Sequence, residues 1–270
     1  MARPDVKTFD IGAMDALARR DAPAQRLDPR AKLCTTLAFI LTVVSFDPYA
    51  LSALIPFLIY PAVMAGLGDL PVGYLGKKIL WASPFAVMLG IFNPFLDHTV
   101  VGHLGALEIT GGWVSFLSIL VRFALTVGAA LVLIATTGFN TVCASLAAFG
   151  APRIFVAQLL FLHRYLFVLV QEASRMARAR WMRSCTNRGP GIRTAASLLG
   201  HLILRALDRA QRIHTAMRCR GFAGQIQVAH PMKIRPADVA FMAGWTVFFL
   251  FFRMVNGSMM LGNFVKGLIT

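Results

Sequence analysis

The chain has 270 residues, of which 57% are hydrophobic and only 14% charged, and its mean hydropathy is +0.66. Soluble domains carry about 25% charged residues, so the composition excludes an ordinary soluble domain and points to a polytopic membrane protein. The net charge of +15 would suit a nucleic-acid binder, but the basic residues alternate with long apolar segments and no zinc-finger or RNA-recognition pattern occurs, so the charge is read as the positive cytoplasmic side of a membrane protein and nucleic acid is not expected as a partner.

Residues 1–32 form a polar N-terminal segment with Arg19, Arg20, Arg26, Arg30 and Lys32 near its end. No apolar core follows a short basic start, so no signal peptide is expected. Phe9, Ile11, Met14 and Leu17 have the spacing of a short amphipathic helix on the membrane surface. Pro29 suits the first position of the next helix, with Asp28 as its N-cap.

Leu33 to Phe46 is the first apolar run, ended by Asp47-Pro48, and Tyr49 to Leu67 is the second. A Gly- and Pro-rich loop follows, then Lys77 and Lys78, and Ile79 to Leu96 is the third run. Each is near the roughly 20 residues that span a bilayer, the first being short. Asp97 to Trp113 reads as a loop with no Lys or Arg, closed by Trp113 as an interface anchor. Val114 to Ala135 is the fourth run. Arg122 lies inside it, to be satisfied by another subunit or by snorkelling to the near interface.

Gly138 to Pro152 is rich in helix breakers. Ile154 to Val170 is apolar again, interrupted by His163, Arg164 and Tyr165. It is expected to begin an Arg-rich helix lying at or partly in the membrane, with a further true span as the competing reading. That helix continues through Glu172, Arg175, Arg178 and Arg180 to Met182-Arg183-Ser184. After Gly189-Pro190-Gly191 a second helix carries Leu199, Leu202, Ile203, Ala206, Ala210, Ile213 and Met217 on one face, at three- and four-residue steps. Arg205, Arg209 and Arg212 repeat on another face, and Asp208 is spaced to pair with Arg212. The helix ends in Cys219-Arg220-Gly221, where Gly221 occupies the C′ position that favours φ > 0. Arg220 then stands on the last exposed turn as a bidentate donor for a carboxylate of another protein. His230 to Pro236 is a basic linker, Asp238 to Met254 the last span, and Asn256 to Thr270 a Gly-containing tail.

From Arg153 to Arg235 the chain carries thirteen arginines besides Arg153, plus Lys233, against only Glu172 and Asp208. The breaks near Asp47 and from Asp97 to Gly112 have no Lys or Arg. The positive-inside rule therefore gives a cytoplasmic N-terminus, five spans and an outside C-terminus. A sixth span at Ile154 to Val170 would put the Arg-rich helices on the wrong side.

Cys34, Cys143, Cys185 and Cys219 form no CxxC pair and are expected as free thiols, the last two as small packing residues. No phosphate-binding GxxxxGK[ST] loop is present, so any ATPase is expected on another polypeptide. Asp97, His98 and His103 are the only cluster that suggests a metal, but a spacing of five suits no single helix face, so no metal site or cofactor is assigned to this chain.

The segment HRYLFVLVQEASRMARARWMRS, followed by LDRAQRIHTAMRCRGFAGQ, resembles the CbiQ/EcfT family, the transmembrane coupling (T) components of energy-coupling factor transporters. Leu27-Asp28-Pro29-Arg30-Ala31-Lys32-Leu33 is similar to the family's N-terminal LDPRxKL signature, and the cobalt and nickel branch is the most similar. The resemblance implies two helices whose Ala-Arg-Gly-like ends dock in grooves of ATP-binding cassette subunits. Met182-Arg183-Ser184 departs at two positions and Cys219 stands where Ala is usual, but the arginine is kept in both. The resemblance thus carries ATPase docking to Met182, Arg183, Ser184, Cys219, Arg220 and Gly221. It carries support of the helices to Glu172, Arg175, Arg205, Arg209 and Arg212, and the signature to Asp28, Pro29 and Arg30.

The expected fold is all-α and polytopic, with about five transmembrane helices plus long cytoplasmic coupling helices. Its parts are a cytoplasmic N-terminal segment (1–32), four spans (33–137), a coupling-helix domain (138–236) and a last span with its tail (237–270). The expected role is a non-catalytic subunit of an ATP-driven cobalt or nickel importer in the inner membrane of a prokaryotic cell. Its partners would be ATPase subunits, a substrate-binding membrane (S) subunit and the lipid bilayer. The competing class is an integral-membrane enzyme or lipid-handling protein whose basic helices bind anionic headgroups or phosphate substrates.

Overall fold

The structure, a computed structural model, describes residues 11–20, 22–47, 51–96, 100–104, 107–183, 191–222 and 235–254. The chain divides into two compact units. One comprises Met14–Gly138 and Pro231–Thr270, the other Met1–Ala13 and Phe139–His230.

The first unit holds α2 (Pro29–Val44), α4 (Ile59–Leu67), α5 (Val72–Gly90), α7 (Gly111–Thr137) and α11 (Pro236–Met254). Helix α7 is its spine and packs against α2, α4 and α5, while α11 packs against α2. The core is aromatic. Phe39 of α2 lies 4.8 Å from Tyr60 and 5.4 Å from Phe249 of α11, and Tyr60 meets Trp245 edge-on at 4.9 Å. The Tyr60 hydroxyl is satisfied inside this core by Thr36 Oγ1 at 2.8 Å, as a buried phenol requires. Leu80, Trp81, Phe85 and Met88 of α5 stay exposed, an apolar face suited to lipid.

The protein is a helical, multi-pass membrane protein. Among the described residues three helices are long and apolar enough to cross a bilayer: α7, α11 and α9 (Arg153–Arg183). The second and third apolar runs are not single helices. Leu51–Leu54 (α3) passes into a 3-10 turn at Ile55–Leu58 before α4, because Pro56 and Pro61 remove amide donors. Helix α5 contains Pro84 and stops at Gly90, leaving Asn93–Leu96 as a separate turn, α6. The Asp97–Trp113 segment, expected as a loop, contains an antiparallel hairpin of β1 (Val100–Leu104) and β2 (Leu107–Thr110). Its Val, Ile and Thr residues favour the extended chain. His103 and Glu108 are register partners in it, and Asp97 and His98 lie outside the described residues.

The short N-terminal helix is present as α1 (Ile11–Ala18), but Leu17 is buried in the core rather than offered to a membrane surface; Phe9 lies outside the described residues. Arg122 finds an acceptor within its own chain. Its Nη2 donates to the Asp47 carbonyl, and Arg253 Nη1 donates to the Ser45 carbonyl at 3.1 Å. Two guanidiniums thus meet the unpaired carbonyls that follow α2, where the helix dipole favours cations.

The second unit holds α8 (Phe139–Ala148), α9 and α10 (Ile192–Cys219). Helix α8 packs on α9, with Phe139 stacked on His163 at 4.5 Å. Helix α9 is continuous through the His163-Arg164-Tyr165 interruption. Its apolar half meets the requirement for a span, although the sequence favours a helix lying at the membrane.

Candidate functional site: the paired Arg-tipped helices

Helices α9 and α10 meet through a salt bridge and share a groove. Glu172 of α9 accepts from Arg205 of α10 at 2.6 Å and from Arg175, one turn along its own helix, at 2.7 Å. Glu172 is mostly covered while both arginines are exposed. The support roles given to Glu172, Arg175 and Arg205 therefore converge on one carboxylate. Arg209 instead lines the groove, and Arg212 is exposed. The Asp208–Arg212 pair that the spacing permits is not formed.

The groove has a volume of about 490 Å³ and is mainly apolar, with Phe161, Tyr165 and Leu169 on one wall and Ala210, Met217 and Phe222 on the other. No residue of α10 is buried, and Leu199 and Ile203 of its apolar face remain more than half exposed. The helix forms because its apolar residues fall on one stripe, yet that stripe is only partly covered by α9.

The contacts fix the sense of the pair. Glu172, late in α9, meets Arg205 in the middle of α10, whereas earlier α9 residues share the groove with later α10 residues. The two helices therefore run in opposite directions past each other. From Glu172 to Arg183 is about 16 Å of helix, and from Arg205 to Arg220 about 22 Å, at about 1.5 Å per residue. The two arginine tips consequently stand on opposite sides of the crossing.

At the α10 tip the C-terminal lock is complete. Gly221 has φ +76°. The Phe222 N–H donates to the Met217 carbonyl and the Gly221 N–H to the Arg218 carbonyl, both at 3.0 Å. This is the paired pattern of a Schellman motif, whose usual apolar contact joins the residues at Phe222 and Met217. Both line the groove. Arg220 is the C-cap and is exposed, next to exposed Cys219. At the other tip Arg183 is the last residue of α9 and Met182 beside it is 75% exposed. Ser184 and Cys185 lie outside the described residues.

The N-terminal signature belongs to the other unit. Pro29 is the first residue of α2, and Asp28 caps it by accepting the Arg30 N–H at 2.8 Å. Sequence reasoning gave no role here to Lys32, Thr136, Asp238 or Arg235. Lys32 is 1% exposed and donates to the Thr136 carbonyl at 3.1 Å. Asp238 Oδ1 accepts the Asp28 N–H at 2.9 Å, and its Oδ2 accepts the Arg235 N–H at 2.8 Å. Pro236 followed by an acidic residue in the same turn is a visible helix start, but nothing local tells of a partner 210 residues away. Among the described residues no group of three or more His, Cys, Asp or Glu is arranged to hold a metal ion.

Comparison with known proteins agrees with this architecture. The family description "Cobalt transport protein", CbiQ, matches residues 21–232. The chain is 24% identical over 236 residues to the cobalt transport protein CbiQ of Rhodobacter capsulatus, covering 85% of this chain and 91% of that one. It is 26% identical over 249 residues to the energy-coupling factor transporter transmembrane protein EcfT of Leuconostoc gelidum, covering 83% and 90%. An uncharacterized protein of Methanocaldococcus jannaschii is 24% identical over 237 residues, covering 81% and 77%.

Proposed function

The chain belongs to the CbiQ family of cobalt transport proteins, and from that premise we propose that it is the coupling component of an ATP-driven energy-coupling factor importer. The proposed substrate is cobalt or nickel, captured by a separate membrane subunit. ATP is hydrolysed by partner chains, and this chain performs no catalysis and holds no cofactor. The N-terminus is cytoplasmic in this reading. The stretch 138–236 is the coupling-helix domain, and the flanking segments are embedded in the inner membrane of a prokaryotic cell.

The observation that carries the reading is the pair of exposed arginines at opposite ends of two crossed helices. A helix end presenting a guanidinium is complementary to a carboxylate-lined groove, and an Arg–carboxylate pair gives geometric specificity as well as attraction. Two such ends facing away from each other suit two ATPase subunits, one at each tip. ATPase closure would then move the tips, and stiff packed helices would carry the motion inward as levers. The uncovered stripe of α10 and its groove with α9 offer an apolar seat for the substrate-binding subunit.

A mild-detergent pull-down of the tagged chain, with partners identified by mass, tests the proposal. An ATP-binding cassette subunit together with a small, very apolar membrane protein is the expected result. Recovery of a stable chain with no nucleotide-binding partner would refute it.

A further inference from the structure

We propose that Lys32 and Asp238 are positioning residues that bond the ends of α2, α7 and α11 into one buried junction of the membrane scaffold, through which motion of the Arg-tipped helices is received. This rests on the coupling role proposed above and names the place where motion enters the scaffold.

The chain leaves the scaffold unit after Gly138 and returns to it at Pro231. Thr136 lies two residues before the first passage, and its carbonyl receives the Lys32 ammonium. Arg235 lies just after the second, and its N–H is held by Asp238. The other Asp238 oxygen holds the Asp28 N–H, and the Asp28 side chain caps α2, in which Lys32 sits one turn on. The end of α7 and the beginnings of α2 and α11 are thereby bonded to one cluster. Each charge complements the helix end that it faces: the ammonium at the carbonyl end of α7, and the Asp238 carboxylate at the N–H ends of α2 and α11. Both carboxylates also attract the ammonium through space. Asp28, Lys32 and Asp238 are all buried.

A buried network of this kind acts as a unit. Removing one member leaves the others unpaired in a low-dielectric setting, where each such loss is costly. A displacement arriving along either passage therefore loads all three helices together, rather than bending one of them. The glycine at the first passage, Gly138, has φ +79° and directly follows the bonded end of α7.

The test uses the complete transporter in proteoliposomes, with Co²⁺ as the probe. It reads Co²⁺ taken up per ATP hydrolysed, together with the ATPase retained on the complex. Asp238→Asn keeps the shape but weakens the double acceptor. Lys32→Arg keeps the charge but puts a wider group into the same buried space. Both variants are expected to retain the ATPase. Both should lower uptake per ATP, Asp238→Asn by about tenfold, within the range typical of coupling between sites. If Asp238→Asn does not insert, Lys32→Arg alone decides. A wild-type ratio in the inserted variants overturns the proposal, as does a loss of uptake that only follows loss of bound ATPase. A wild-type chain that retains no ATPase overturns the coupling role itself, a different failure with a different signature.

Discussion

Arg205 of α10 reaches across to Glu172 of α9 at 2.6 Å, and the same carboxylate holds Arg175 at 2.7 Å. The carboxylate ties together two long helices that also share an apolar groove. Arg205→Ala is expected to loosen the crossing without unfolding either helix, since both run well beyond it. Spin labels at residues 182 and 219, with the other cysteines replaced, should give one narrow distance distribution in the wild type and a broader one in the variant. Equal widths would mean that packing alone sets the crossing angle.

The opposite placement of the tips makes the proposed docking roles of Arg183 and Arg220 separable. Arg183→Ala and Arg220→Ala should each remove one ATPase contact and leave a half-assembled complex. The double substitution should abolish association while membrane insertion persists. Native mass measurement of the three variants distinguishes these species. A fully assembled double variant would remove both residues from the docking role.

The ends of these helices were legible in the sequence because helix termination is local chemistry. Gly221 and the Asp28-Pro29 pair follow from the backbone preferences of Gly, Asp and Pro, and both are found as expected. The all-helical membrane class was legible for a similar reason, since apolar length is a local property. What lies between elements was hidden. The Asp28–Asp238 bond joins residues 210 positions apart, and the partners of Arg122 and Arg253 are backbone carbonyls, which carry no side-chain signature. The second and third runs looked continuous because hydropathy outweighed Pro56, which sits in the 3-10 turn before α4, and gave no sign of the stop at Gly90. The opposed arrangement of α9 and α10 brings Glu172 to Arg205, and Glu172 had many arginines in this stretch to choose from.

Gly221 is required for its backbone angle rather than for space, because nothing lies within 4 Å of where a Cβ would be. Gly221→Ala should therefore cost about 1 kcal/mol through the positive φ, either straining the turn or unwinding it. Unwinding would displace Arg220, so binding of the isolated ATPase should weaken by up to about fivefold, the equivalent of that energy. Gly221→Asn should weaken it less, since Asn tolerates this conformation better. Identical binding by all three proteins would show that the ATPase does not sense the geometry of this turn.

Asp28 serves α2 in two ways that substitution can separate. Its side chain caps the helix through the Arg30 N–H, while its own N–H is held by Asp238. Asp28→Ala loses the first and keeps the second, so the expected cost is that of an N-cap, about 1 kcal/mol. For a chain of this size that corresponds to a fall in Tm of about 2–4 °C, measurable by thermal unfolding in detergent. Asp28→Asn retains a capping oxygen and should recover most of the loss. If Asn and Ala fell equally, the contribution would come from the negative charge beside buried Lys32 rather than from the cap. The junction at Lys32 would then depend on Asp28 as much as on Asp238.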